Sequence, residues 1–100
     1  MALKGNGEMN ELAQDNSSRH RFELTVDGHT AFAEYRQISG GLEFYHTVVP
    51  EALGGKGVGS RLVTSVLDQM RARGVKIKPT CPFFKAFLGK HPEYGDLVID

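Results

Sequence analysis

Polar and apolar residues alternate through Arg21-Phe22-Glu23-Leu24-Thr25-Val26. That two-residue period predicts a strand with one buried face. Asp27-Gly28 follows, a strong two-residue hairpin turn, and His29 to about Ile38 predicts the return strand. The turn sets Val26 opposite His29, Leu24 opposite Ala31 and Phe22 opposite Ala33. It also sets Arg21 opposite Glu34, an opposite-charge pair on the other face. Gly40-Gly41 predicts a second hairpin turn. A two-residue loop there pairs Gln37 with Phe44, Tyr35 with His46 and Ala33 with Val48. One face then collects Phe22, Leu24, Val26, Ala31, Ala33, Tyr35, Phe44, His46 and Val48, and is the better core. A one-residue slip would exchange the two faces of the third strand.

The period then changes. Val58, Leu62, Val66 and Met70 recur every four residues, and Val63 and Leu67 widen the stripe. This predicts an amphipathic helix from about Gly57 to Arg73, with Arg61, Ser65, Asp68, Gln69 and Arg71 on its wet side. Arg71 and Arg73 suit the negative end of the helix dipole, and Gly74 suits its stop. Val75 to Lys78 reads as a short strand, parallel to its predecessor because a strand–helix–strand crossover joins them. Pro82 fits the first residue of a second helix, with Cys81 at the cap position. Phe83, Phe84, Phe87 and Leu88 supply that helix's apolar face, and Gly89 and Pro92 end it. Leu97-Val98-Ile99 is a candidate edge strand. Met1 to about Ser18 is polar and aperiodic, and reads as a mobile tail before a domain from 19 to 100. The functional alternative is a short helix from Glu8 to Gln14 that folds over the site.

Between the third strand and the first helix lies Val48-Val49-Pro50-Glu51-Ala52-Leu53-Gly54-Gly55-Lys56-Gly57-Val58-Gly59. Glycines at alternate positions leave backbone N–H groups uncovered by any Cβ. The helix that follows adds unpaired N–H groups and the positive end of its dipole. Together they predict an anion site, most naturally for phosphate, with Lys56 adding a charge. A magnesium-binding Walker loop needs Ser or Thr after Gly-Lys, and here Gly57 follows Lys56. A dinucleotide fingerprint needs a different third glycine and a longer βαβ unit.

Composition narrows the field. With 100 residues there is one domain and one core. Twelve basic against 12 acidic residues give no broad basic footprint for nucleic acid. A single cysteine excludes an internal disulfide and suits a reducing cytoplasm. No apolar run is long enough to span a bilayer, and no signal peptide is evident. Monomer or weak homodimer is the expected state.

The loop, running from a strand into a helix, resembles the coenzyme A loop of the GNAT acetyltransferase superfamily. His46-Thr47-Val48-Val49-Pro50, Gly55-Lys56-Gly57-Val58-Gly59, Thr80-Cys81-Pro82-Phe83 and Lys90-His91-Pro92-Glu93-Tyr94 together are similar to small, uncharacterised GNAT-like proteins. The resemblance spans about Arg21 to Asp100. It implies a mixed α/β sheet of minimal GNAT type, an antiparallel three-stranded meander followed by helix–strand–helix. It implies acetyl-CoA or coenzyme A as cosubstrate, its pantetheine arm in a gap beside Val48 and Val49, and its pyrophosphate on the N–H groups from Gly55 to Ser60. Relatives usually carry Arg or Gln where Gly54 stands. The larger N-terminal helices that wall the acceptor pocket in most relatives have no room here.

Transfer of an acetyl group to an amine needs a base, a polarised thioester carbonyl and a stabilised leaving thiolate. His46 is the best candidate base, and its alternative is a core histidine bonded to Tyr35. Glu43 and Glu51 are weaker candidates acting through water. Tyr94 is a candidate acid for the thiolate, with packing as its alternative. Cys81 sits where a helix N-terminus favours a thiolate. It is a candidate acyl carrier or channel-lining residue, or else a small buried cap. Glu, Asp and His do not occur at metal-ligand spacing. Two function classes stay open: an N-acetyltransferase acting on a small-molecule or protein amine, and a non-catalytic coenzyme A-binding module that regulates a partner.

Overall fold

The computed structural model describes residues 12–99. Five strands form one sheet in sequence order. They are β1 (Gln14–Asn16), β2 (Arg21–Val26), β3 (His29–Ile38), β4 (Gly41–Val48) and β5 (Lys76–Pro79). The first four are antiparallel and β5 lies parallel to β4. Helix α1 (Val58–Arg73) makes the crossover and α2 (Pro82–Lys90) follows β5. Both helices pack on one face of the sheet. Phe22, Leu24, Ala33 and Phe44 meet Leu62, Val66 and Met70 of α1 and Phe84 of α2 in a single core.

The first hairpin has the register its turn dictates, with Val26 opposite His29 and Arg21 opposite Glu34. Asp27 takes φ 51° and Gly28 φ 78°, the left-handed pair that matches strand twist. The second hairpin departs from expectation. Its turn is Ser39-Gly40, because the closing pair is Ile38 with Gly41. Gly41 cannot be the turn residue: a Cβ there would lie 2.1 Å from Lys76 O, so β5 requires a glycine at that ladder position. Tyr35 therefore faces Phe44, and not His46. A bulge between Glu34 and Tyr35 then inserts Tyr45, after which Glu34 faces His46 and Ala33 faces Thr47. The bulge turns His46 and Val48 to the outer face and Thr47 to the core face, correcting the placement of His46 and Val48 in the core.

The chain before β2 is also more ordered than its composition suggests. The tail expected through Ser18 gives way by Ala13, which is 3% exposed. Its N–H donates to Ser65 Oγ at 2.8 Å, and its carbonyl accepts from Gln69 Nε2 at 2.8 Å. Ser65 thus turns from the wet side to a buried anchor. The alternative helix from Glu8 to Gln14 falls largely outside the described residues, and Gln14 itself is in β1. After α2, Pro92–Leu97 forms a 3-10 turn. Ile99 N–H then donates to Ile77 O at 2.8 Å, so the final apolar run docks on β5 by a single bridge between Val98 and Ile77.

Candidate active site

The site begins where β4 and β5 part. Their parallel ladder runs from Gly41–Lys76 to Phe44–Pro79 and stops. Phe44 O then accepts from both Thr80 N–H at 3.1 Å and Cys81 N–H at 3.0 Å. Those two bonds end β5 and turn the chain into α2. β4 continues to Val48 with no β5 neighbour, so a gap opens between Tyr45–Val49 and the start of α2. Thr47 Oγ1 lies 3.2 Å from Cys81 Sγ across this gap. Cys81 is 3% exposed and occupies the N-cap of α2, with Pro82 at the first position.

The glycine loop lies beyond the end of β4. Glu51–Leu53 makes a 3-10 turn and buries Leu53. Gly55 and Gly57 take φ 76° and 72°, a conformation that favours glycine. A Cβ at either would meet nothing within 4 Å, so their outer sides stay open. The first α1 bond runs from Arg61 N–H to Gly57 O at 3.1 Å. Val58, Gly59 and Ser60 therefore present N–H groups without helical acceptors. Val49, Leu53, Gly54, Gly57, Ser60 and Phe83 border a cleft of about 220 Å³ at this point. The open glycine cradle, free N–H groups and helix dipole fit a phosphate group.

Three loop positions have structural roles beside the expected anion site. Lys56 is exposed and pairs with Asp27 Oδ2 at 3.2 Å, so its charge is directed to the first hairpin. Gly54 is extended, with φ −61° and ψ 142°, a backbone any residue adopts. A Cβ at Gly54 would nevertheless lie 3.2 Å from Glu51 O, which makes that position tight. Gly59 is needed for packing, since a Cβ there would stand 2.4 Å from Phe83 Cζ. Phe83 is thereby drawn out of the expected core face and stands 39% exposed over the loop cleft.

The named chemical groups do not converge on one point. His46 is exposed on the outer face, opposite Glu34. Its alternative as a core partner of Tyr35 is overturned, because the Tyr35 hydroxyl donates to Asp15 Oδ1 at 2.6 Å. Thr47, the next residue, faces Cys81 on the inner side of the gap. Tyr94 is placed elsewhere. Its hydroxyl donates to Asp68 Oδ1 at 2.7 Å, and Asp68 lies about 13 Å down α1 from Gly59 at about 1.5 Å per residue. The hydrogen bond to Asp68, with some burial, pushes its phenol up to about 12. Glu43 accepts from Thr80 Oγ1 at 2.8 Å and pairs with Arg36 Nε at 3.2 Å, so it braces the outer face across β3, β4 and β5. Glu51 is exposed in the 3-10 turn before the loop. Thr47 was not singled out from the sequence, and only the bulge brings it to the gap.

The comparisons agree with this geometry. A family model described as GCN5-related N-acetyl-transferase matches residues 21–97. An NMR structure of a GCN5-like protein from Staphylococcus aureus is 29% identical to this chain, with a TM-score of 0.68. That likeness covers 90% of this chain and 89% of the bacterial one. No curated protein matches. With the family's glycine loop at the head of α1 and its strand gap beside it, the chain belongs to the GCN5-related N-acetyltransferase family.

Proposed function

We propose that the protein is an acetyl-CoA-dependent N-acetyltransferase whose acceptor is an amine. The carrying observation is the alignment of two features: the parallel ladder stops at Phe44–Pro79, and the open glycine cradle lies at the far end of the gap this creates. Val58, Gly59 and Ser60 hold pyrophosphate through backbone N–H groups, with Gly55 and Gly57 giving it access. Val48 and Val49, past the last β4–β5 pair, present backbone to the gap. Bound acetyl-CoA supplies an acetyl group activated as a thioester.

The chain's own residues then have separable tasks. His46, exposed at the outer mouth of the gap, accepts the proton of the incoming amine. Thr47 and Cys81 line the inner side, where the Cys81 thiol and Thr47 hydroxyl hydrogen-bond to each other. Cys81 in this role shapes the channel, and direct transfer to the amine needs no acyl-cysteine. A second reading, a coenzyme A-binding module without turnover, is favoured by one observation. The Tyr94 hydroxyl is engaged by Asp68, so it is not placed to protonate a thiolate.

The test combines binding with turnover. Acetyl-CoA raises the melting temperature, because a ligand that binds only the folded state stabilises it. Gly57→Glu abolishes that rise by setting a carboxylate against the pyrophosphate. A rise that survives in Gly57→Glu removes the loop from the site. His46→Gln keeps the thermal shift and lowers amine-dependent thiol release by about 10²–10⁴. Thiol release undiminished in a folded His46→Gln protein rules out the base. A thermal shift with no thiol release from any amine leaves the binding module standing.

A further inference from the structure

A second cleft lies at the opposite end of β4 from the glycine loop. It measures about 850 Å³, within the range of about 300–1,000 Å³ typical of small-molecule sites. The fold creates it by ending β2 early. Tyr35 N–H donates to His20 O at 2.9 Å, and beyond that bond β3 has no β2 neighbour. The open edge from Arg36 to Ile38, the turn at Ser17–Arg19 and the end of α1 at Arg73–Gly74 enclose the cleft. Its other margin is Tyr45, the residue immediately after the last β4–β5 pair. Tyr45 thus borders both the cleft and the strand gap.

Its charge is unlike that of the whole chain, which balances 12 basic against 12 acidic residues. Arg19, Arg36 and Arg73 line it against the single carboxylate of Asp15. Asp15 is already committed, to the Tyr35 hydroxyl at 2.6 Å and Arg73 Nη1 at 3.3 Å. Arg19 and Arg36 remain. Arg36 is held in place, with Nε on Glu43 Oε1 at 3.2 Å and its guanidinium 4.2 Å from the Tyr45 ring centre. Thr80 Oγ1 fixes the other oxygen of Glu43 at 2.8 Å. That bracing leaves the two terminal nitrogens of Arg36 without a described partner. A planar guanidinium offered this way suits a carboxylate or a phosphate.

We propose that this cleft is the acceptor site and that the acceptor is an amine which also carries a carboxylate or phosphate group, bound by Arg36 and Arg19. The inference rests on the transferase reading above. Neighbouring guanidinium groups also disfavour the ammonium form of a bound amine, which assists its deprotonation. In the transfer a C–N bond forms as the thioester C–S bond breaks. The amine proton passes through His46 to the departing thiolate, which leaves as the free thiol.

The experiment titrates matched probes into the full chain and follows the backbone amides of Gly40, Gly41 and Gly74 by NMR. Phenylalanine against phenethylamine tests the carboxylate, and glucosamine 6-phosphate against glucosamine tests the phosphate. At least one anionic amine shifts these three amides, binds at least tenfold more tightly than its neutral counterpart, and leaves Gly55 and Gly57 unmoved. Arg36→Gln and Arg19→Gln, both folded by their melting curves, each weaken that binding at least tenfold. Equal binding of the paired probes, shifts mapped elsewhere, or affinity unchanged in both variants overturns the proposal. Thiol release from acetyl-CoA is measured in parallel. Release with an amine that does not touch the cleft sinks the acceptor site and keeps the transferase. Cleft binding with no release from any amine sinks the acceptor role together with the transferase reading.

Discussion

Tyr35 and Tyr94 illustrate how a single hydroxyl fixes a neighbourhood and records it in a titration. Burial and the bond to Asp15 push Tyr35 up to about 12, and the bond to Asp68 does the same for Tyr94, also to about 12. Both favour the neutral phenol in the folded protein, against an unfolded value near 10. Their contribution is therefore fully present below about pH 10 and is lost as pH rises toward about 12. Stability followed by chemical denaturation falls across that window. In Tyr35→Phe/Tyr94→Phe the fall is shallower, because neither group remains to ionise. An unchanged slope in the double variant would show that other groups govern alkaline unfolding.

Strand β4 and the segment before β2 show what short elements contribute. The bulge costs one ladder position and gains two consecutive side chains, Tyr45 and His46, on the outer face. Without it Thr47 would face outward and lose Cys81. The segment at Ala13 is held by Ser65 and Gln69. Ser65 is 7% exposed and its Oγ accepts the Ala13 N–H, while Gln69 Nε2 reaches the same oxygen at 3.2 Å. Ser65→Ala leaves a buried N–H without an acceptor and costs about 1–3 kcal/mol. Urea titration measures the loss. Hydrogen exchange at the Ala13 amide rises more than in the α1 interior, which separates local release from general weakening.

The two layers are tied together near the gap by stacked rings. Phe44 and Phe84 lie with centroids 4.8 Å apart and planes 13° from parallel. Phe44 belongs to the last β4–β5 pair, and Phe84 lies in the first turn of α2. Both are fully buried. This contact sets the distance between the sheet and α2, and so the depth of the gap that Cys81 lines. Phe84→Ala removes a ring from a core with nothing to replace it and costs about 3–5 kcal/mol. A melting point within a few degrees of the parent would mean that α2 can collapse into the space. On the proposed acetyl-CoA reading, affinity for that ligand falls in a variant that stays folded, since the wall of the gap has moved.

Local chemistry dictated the first hairpin, the start and stop of α1, the Pro82 start of α2 and the glycine cradle. Each depends on residues adjacent in sequence: Asp27-Gly28 for a left-handed turn, Gly57 and Gly74 as caps in positive φ, Pro82 with a preset dihedral. The family motif was legible for the same reason, since a cradle for phosphate is made of contiguous backbone. The site's side chains were not. Whether Ser39-Gly40 or Gly40-Gly41 turns the second hairpin depends on Lys76, 35 positions from Gly41 in the numbering, whose carbonyl leaves room only for a glycine opposite it. That displacement and the bulge together choose the face for His46, Thr47 and Val48. Alternation alone carries no signal for an inserted residue. The tail misled for a related reason: polar composition counts against a packed segment, yet Ser65 and Gln69 supply partners for the backbone at Ala13. The sequence by itself determined the first hairpin, the start and stop of α1, the start of α2 and the glycine loop, which need only near neighbours. Tertiary structure decided which side chains meet across strands, because hydrogen-bond satisfaction and core volume are settled between segments far apart in the chain.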